Sequence, residues 1–430
     1  MTLLAEFGVL FGVMLVTMAL GLPIFLALGL SAGAYVVAFW PKVPLMVIAQ
    51  GFVQGLDSYG IVAIPFFFLA GEVMNAGGIN ERLMRFALAC LGHIRGGLSH
   101  VNVMANMVFA GVSGSAVADA SAVGSVMIPA MKKAGYPADY AAAVTAAAAT
   151  IGPMIPPSIP MVMFGMFAMT SVAKLFIAGV VPGLLMGLFL LAASYWISRR
   201  RNYPATAWVG WSGLAQAFLQ SFFALLLPLI VIVGIIGGIA TVTEVGAIAA
   251  IYAAVASAIY GEFRPRRIWR AVMKAGIDSC RVLIILSIAG LFVWIIGNMG
   301  VAKLLAAAIL SVTHEPALVM AIVCIFLVLG STLVESVILL VVFVPMLIPT
   351  ARELGIDLVH FGVVTVFATL IGLIVPPAGI LIYVGAAQAE ASAHKVVREL
   401  VPFVFVLCAL LGFLIFFPEL SLWLPRALKI

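Results

Sequence analysis

GPMIPPSIP, residues 152–160, puts four prolines into nine residues in the middle of a long apolar region. Inside a helix, a proline removes a backbone hydrogen bond and clashes with the preceding turn, at a cost of about 3 kcal/mol. Facing lipid, the freed amides and carbonyls would add a further penalty. Irregular backbone at membrane depth is tolerated only where protein or a water-filled cavity covers it. The stretch therefore reads as a break between two half-helices, with something other than lipid over the gap.

The break has a partner. A shift of 220 residues brings GLIVPPAGI (372–380) into register with it, and the match extends outward. Ile128-Pro129 falls on Ile348-Pro349, Gly135 on Gly355, Val144-Thr145 on Val364-Thr365 and Ala148 on Ala368. Ile151-Gly152 falls on Ile371-Gly372, Pro156-Pro157 on Pro376-Pro377 and Gly165 on Gly385. That is 11 identities in 38 ungapped positions, against roughly 10% by chance in so biased a composition. Upstream, a shift of 216 sets Gly114-Ser115 on Gly330-Ser331 and Asp119 on Glu335. The second copy thus needs four extra residues between the two registers.

Composition fixes the setting. The 430 residues are 65% hydrophobic and 9% charged, where a soluble domain carries about 25% charged residues. Apolar runs of spanning length recur throughout, so the chain reads as an all-α polytopic membrane protein. No GxxxxGK[ST] phosphate loop occurs, which argues against ATP-driven transport by this chain alone. The net charge of +6 suits basic cytoplasmic loops and does not imply a nucleic-acid partner. The first apolar stretch has no Lys or Arg before it, so it is expected to stay in the mature chain. Cys90, Cys280, Cys324 and Cys408 share no metal-ligand spacing, nor do the five histidines, and no cofactor is expected.

The halves divide as 1–200 and 216–430, with a cytoplasmic connector at 201–215. The first is expected to hold spans at 5–21, 23–40 and 61–78, an amphipathic arm at 80–95, a helix–tip–helix at 97–131, a broken helix at 138–170 and a span at 174–197. The second repeats this with spans 216–236 and 239–260, an arm at 264–277, a span at 280–298, an arm at 300–312, a helix–tip–helix at 315–350, a broken helix at 357–388 and a span at 400–424. Both basic arms are expected to lie flat on the membrane surface. Hairpin arms of about 15 residues reach roughly 23 Å, short of a core of about 30 Å. They therefore read as re-entrant. Each half then crosses five times, which inverts the second copy, a recurring plan in secondary transporters. The arrangement places 16 basic residues inside and six outside (Lys42, Lys174, Lys303, Arg352, Arg426 and Lys429). Both termini then face the periplasm of a bacterial inner membrane.

The tips read GVSGSAVADAS (111–121) and GSTLVES (330–336). Gly and Ser suit a turn whose carbonyls and hydroxyls face a cation. Half-helix N-termini at the same break offer amides to an anion. Close packing by small residues is the alternative for such motifs. Asp119 and Glu335 can ligate sodium, carry a proton or cap the turn. Glu72 sits late in a span, facing the interface. Glu244, in TVTEVGA, reads as a helix cap.

These residues carry a resemblance. IPFFFLAGEVMNAGGINERL (64–83), GVSGSAVADASAVGSVMIPAMKKAGY (111–136), IGPMIPPSIPMVMFG (151–165), TVTEVGA (241–247) and IGLIVPPAGILIYVGA (371–386) are similar to the large membrane subunit of tripartite ATP-independent periplasmic (TRAP) transporters. The resemblance implies an elevator-type transporter, in which a part carrying hairpins and broken helices moves against a fixed scaffold. It implies sodium coupling, a small organic carboxylate delivered by a periplasmic binding protein, and a separate small four-helix membrane subunit, all within membrane lipid. Carried over by motif, one sodium site would use Ser113, Gly114, Ser115, Gly152, Ile155, Pro156 and Ser158. The second would use Gly330, Ser331, Thr332, Gly372, Val375 and Pro376. Substrate would lie between the tips, near Ser115, Ala116, Pro157, Ser158, Thr332 and Pro377. Thr332 and Val334 stand where the first tip has Ala116 and Ala118, so the two sites need not be equivalent.

Other readings fit less well. A stand-alone cation–carboxylate symporter would need no binding protein. A channel would line a continuous pore with carbonyl or charged rings, and an enzyme would need a metal cluster or nucleophile–base pair. If the double proline serves transport rather than folding, Pro156→Ala with Pro157→Ala lowers sodium-dependent uptake more than it lowers membrane insertion. Unchanged uptake and sodium affinity in that double variant would reject the reading.

Overall fold

The computed structural model describes residues 3–428, and all the regular structure among them is helical. The first half comprises α1 (Leu3–Ala19), α2 (Ile24–Phe39), α3 (Leu45–Gln54), a 3₁₀ turn (Tyr59–Val62), α4 (Ala63–Ala76), α5 (Ile79–Leu91), α6 (Gly97–Ser113), α7 (Ala116–Lys133), α8 (Ala138–Ala149), α9 (Ile159–Ala168) and α10 (Val172–Arg200). The second comprises α11 (Gly210–Ile236), α12 (Val242–Ile259), α13 (Pro265–Met299), α14 (Val301–Leu310), α15 (Pro316–Ser331), α16 (Ser336–Glu353), α17 (Leu358–Gly372), α18 (Ile380–Ala389), α19 (Ala393–Phe416) and α20 (Glu419–Ala427). The fold is an all-α membrane protein of two inverted repeats, each with a helical hairpin (α6–α7, α15–α16) and a broken helix (α8–α9, α17–α18).

Packing shows the repeat as reciprocal exchange between the halves. Helix α2 packs on α13, and α12 packs on α4. After each tip, α7 lies against α18 and α16 against α9. Likewise α8 meets α19 and α17 meets α10. Neither half could bury its faces alone. The alanine run of α8 explains part of this closeness: Ala141 to Ala143 and Ala146 to Ala149 are fully buried. Small side chains let helix backbones approach where no hydrophobic force between helices exists.

Local chemistry sets the helix ends. The Asp357 carboxylate accepts from the amides of Val359 and His360, at 2.7 and 3.2 Å, and starts α17. Glu244 and Thr241 form a reciprocal capping box at α12, with Thr241 N donating to Glu244 at 2.7 Å. The arms α5 and α14 each begin at a left-handed glycine, Gly78 (φ 66°) and Gly300 (φ 71°). Helix α5 packs on α11, and its Arg82 guanidinium lies 4.0 Å from the Tyr260 ring centre.

Three sequence expectations are corrected. The arm at 264–277 and the span at 280–298 are one 35-residue helix, α13. In the first half Gly77-Gly78 bends α4 from α5 by 73°, but the junction within α13 has no residue of positive φ. At about 52 Å, α13 exceeds a core of about 30 Å. The connector 201–215 is shorter than expected, since α11 starts at Gly210. The final span ends at Phe416, where Pro418 begins a separate α20 rather than a run to 424. Between the second and third expected spans lies α3. It crosses α13 so closely that a Cβ on Gly55 would lie 2.2 Å from the Leu286 carbonyl oxygen. Lys429 lies outside the described residues.

No atom lies within 4 Å of a Cβ placed on Gly300, so its substitution strains only the backbone. Gly300→Ala is expected to cost about 1–2 kcal/mol, read as a lower thermal midpoint of the solubilised protein. An unchanged midpoint would show that this elbow is not held left-handed.

Candidate functional site

The first hairpin turns at Gly114 (φ 61°). A Cβ there would lie 2.5 Å from the Pro157 carbonyl oxygen, so the tip rests directly on the broken backbone. Ser113, the last residue of α6, donates its hydroxyl to the Asp119 carboxylate and accepts from Ser115 N at 3.2 Å. Ser115 is the N-cap of α7, accepting from Ala118 N at 3.4 Å, and Ala116 is the first residue of that helix. Asp119 is completely buried. Its Oδ2 has no hydrogen-bond partner among the described residues and faces Gly152, where a Cβ would lie 2.0 Å from it.

Every residue of the first break, 150–158, is buried. Ser158 caps α9, accepting from Met161 N at 3.2 Å while donating to the Pro153 carbonyl. Ile155 packs against Gly183 of α10. The Pro156 ring faces a small groove shared by Phe176 and Val180 of α10 and Ile232 and Ile235 of α11. Hairpin 1, break 1 and α10 thus form one packed unit, with Pro156 at its boundary with α11.

The second unit is built differently. Gly330 and Ser331 end α15 and Thr332 caps it. Their hydroxyls turn back on their own helix: Ser331 donates to Val328 O at 3.1 Å and Thr332 to Leu329 O at 2.8 Å. Gly372 lies so close beneath that a Cβ would fall 1.7 Å from Ser331 Oγ. Ser336 reaches the Thr369 carbonyl at 3.3 Å. Val375 N bonds Gly372 O at 3.2 Å. Pro376 and Pro377 are exposed, and Pro377 O accepts from the Tyr383 hydroxyl at 2.9 Å. Both Pro–Pro peptides are cis. The first cradle is sealed and the second is open.

Asp119 and Glu335 are not structural counterparts, which corrects the pairing drawn from the tips. The four extra residues lie between Ser331 and Ser336. Glu335 therefore stands at the N-cap of α16, where the first hairpin has Ser115, and it is exposed with no side-chain capping bond. The position one turn into α16, equivalent to Asp119, is Leu339, which touches Gly330. Glu72 pairs with Lys274 at 2.6 Å between α4 and α13, and Glu244 caps α12. Neither belongs to a hairpin or a break.

Two groups of residues were missed from the sequence. Gly179, Gly183 and Gly187 form a ladder on α10, whose Cβ positions would meet the Met154 carbonyl at 2.7 Å, Ile155 at 2.5 Å and Met107 at 2.3 Å. Their four-residue spacing is the available signal. Asn102 donates to Thr145 at 2.7 Å and Asn106 to Asn102 at 3.0 Å, tying α6 to α8. Their i, i+4 spacing in NVMAN (102–106) could have been read as one polar face turned inward.

Two inverted repeats, each setting a hairpin tip against a broken helix, define a secondary-transport permease. The chain matches the family described as tripartite ATP-independent periplasmic transporter, DctM component, over residues 11–420, and it belongs to that family. It is similar to the sialic acid TRAP transporter large permease protein SiaM of Vibrio cholerae, with 34% identity over 88% of this chain and 89% of that one. It is 36% identical to the C4-dicarboxylate TRAP transporter large permease protein DctM of Pseudomonas aeruginosa, over 93% of this chain and 94% of that one. The fold resembles the Alcanivorax borkumensis YdaH transporter, with a TM-score of 0.60 at 16% identity over 89% of each chain.

Gly152→Ala must displace the Asp119 carboxylate. It is expected to slow uptake at least tenfold while the chain still inserts, a loss of about 1.4 kcal/mol or more. Gly412→Ala, with open space at its Cβ, is the control and should match the parent. Equal rates in all three would show that the Asp119–Gly152 contact has no part in transport.

Proposed function

We propose that this chain is the membrane carrier of a sodium-coupled uptake system of the bacterial inner membrane. It moves a small organic carboxylate handed over by a periplasmic binding protein, alongside a separate small membrane subunit. The carrying observation is the first cradle, where a Gly-Ser tip sits on broken backbone and presents a fully buried carboxylate with one oxygen unpartnered among the described residues.

Hard cations take oxygen ligands, and the donor set fits one. The hydroxyls of Ser113, Ser115 and Ser158, the carboxylate of Asp119 and the carbonyls freed between Gly152 and Ser158 surround a single break. Sodium there would supply the partner that Asp119 Oδ2 lacks among the described residues. The second cradle offers Gly330 to Thr332 with Gly372, Val375 and Pro376, but no carboxylate one turn in. Its one carboxylate at the tip, Glu335, is exposed rather than buried. Four half-helices, α7, α9, α16 and α18, begin at a tip or a break. Those of α16 and α18 lack side-chain caps, which leaves first-turn amides for an anion. Ser115, Ala116, Pro157, Ser158, Thr332 and Pro377 would line that substrate position.

The packing supports an elevator-type movement. The scaffold would comprise α1–α4 and α11–α13, the mobile body α6–α10 and α15–α19. The arms α5 and α14 join them, each entered through a left-handed glycine. The sialic acid and C4-dicarboxylate carriers named above both handle carboxylates, which supports the substrate class.

The test is uptake into proteoliposomes holding the chain, its small subunit and a loaded binding protein. An inward sodium gradient should drive accumulation, and potassium replacement should abolish it. Ser113→Ala should raise the half-saturating sodium concentration several-fold. Uptake driven equally by a proton gradient without sodium would reject the coupling. Full-rate transport by the chain alone would reject the binding protein.

A further inference from the structure

The 35-residue helix α13 carries a face that its own fold does not use. Ala271, Ala275 and Ser279 turn inward, toward the core. On the opposite side Arg266, Arg270, Met273, Ile277, Cys280 and Ile284 recur at helical spacing, and all are exposed. Beyond Arg270 this stripe lines an open, apolar surface groove of about 580 Å³, to which Phe25 of α2 also contributes. From Met273 to Ile284 it runs roughly 17 Å, close to one leaflet of a core of about 30 Å.

Charge says what the groove takes. The other cations along this helix are occupied. Arg267 pairs with Glu262 at 3.8 Å, Lys274 with Glu72 at 2.6 Å, and Arg281, at the groove's edge, with Asp278 at 2.9 Å. Among the described residues, Arg266 and Arg270 have no carboxylate within ion-pairing distance. Trp269 is 66% exposed between them, as an aromatic at headgroup level would be. Two unpaired guanidiniums and an indole thus cap an apolar channel one leaflet long. A hydrophobic partner helix would be served by the channel alone, and the free guanidiniums add the preference for a phosphate.

We propose that the α2–α13 groove is a binding site for an anionic phospholipid of the cytoplasmic leaflet. Its phosphate lies on Arg266 and Arg270, and an acyl chain lies along Met273, Gly276, Ile277 and Cys280. Such a lipid fills the scaffold's outer face without touching the tips or breaks. The proposal is independent of the coupling ion.

Native mass spectrometry of the full chain, with phosphatidylglycerol or phosphatidylcholine added, tests this. The parent should retain phosphatidylglycerol at least fivefold over phosphatidylcholine. Arg266→Gln with Arg270→Gln should bring that ratio near one. A Cβ on Gly276 meets no atom within 4 Å, so Gly276→Phe enters the groove without disturbing the core and should lower retention of both lipids. Cys280, an exposed cysteine in the groove, provides a second reading. Phosphatidylglycerol should slow its alkylation while leaving exposed Cys408 unaffected. Equal retention of the two lipids by the parent, or an undiminished preference in both variants, overturns the proposal. So does protection of Cys280 by the small subunit with no lipid retained, which would make the groove a protein-docking face.

Discussion

Backbone amides and carbonyls cannot be left bare in hydrocarbon, yet this chain breaks two helices where apolar sequence surrounds them. Much of the fold answers that constraint. In the first half a hairpin tip is laid on the break so closely that Gly114 contacts the Pro157 carbonyl and no larger residue fits. Ser158 spends its hydroxyl on the Pro153 carbonyl and its lone pair on the next helix. The alanines of α8 and the glycines of α10 bring neighbouring backbones near enough to seal what remains. A break that is covered and lined with oxygens is also a place where an ion can replace a missing hydrogen bond. The same local chemistry that makes the fold tolerable would supply the proposed coupling site.

The two halves meet the constraint with different means. In the first, Asp119 is fully buried beneath its tip and bound to Ser113. In the second, Leu339 takes the equivalent position, the tip is four residues longer, and Ser331 and Thr332 satisfy themselves on their own helix. The second break also stays open at Pro376 and Pro377. An inverted repeat with identical cradles would bind its ions with equal strength in both. Here a buried carboxylate sits on one side only, while Glu335 at the second tip is exposed, so the cradles differ in electrostatics as well as exposure.

The sequence carried the architecture because glycine and proline report on backbone, and they recur at a fixed shift. Pro156-Pro157 with Pro376-Pro377, and Ile128-Pro129 with Ile348-Pro349, placed both breaks and both second hairpin arms. The register failed where the tips differ in length. Matching Gly-Ser to Gly-Ser paired Asp119 with Glu335, whereas helix starts pair Ser115 with Glu335. Composition also misread α13: a basic amphipathic stretch beside an apolar one looks like a surface arm joined to a span, and only a bend signal separates that from one long helix. Gly77-Gly78 supplies the signal in the first half, and nothing equivalent stands between Lys274 and Val282. The glycine ladder of α10 and the Asn102–Thr145 link were readable as spacings, but a spacing does not name its partner.

The continuity of α13 bears on the proposed carrier mechanism. A carrier that moves one body against another needs a part that does not yield. In the first half the chain bends by 73° between α4 and α5, and α5 is held down by α11 and by Arg82 on Tyr260. In the second half α13 continues unbroken for about 52 Å, contacting α2, α3, α4 and α16 along its length. Gly55 and Gly290 bring α3 to within backbone contact of it, and a Cβ on Gly290 would meet Gly51 O at 2.5 Å. The one left-handed glycine at its end, Gly300, comes where α14 departs. An unbroken helix up to that residue and a turn at it would suit a fixed post with a jointed arm, so the departure from strict symmetry at 264–298 accords with the proposed scaffold.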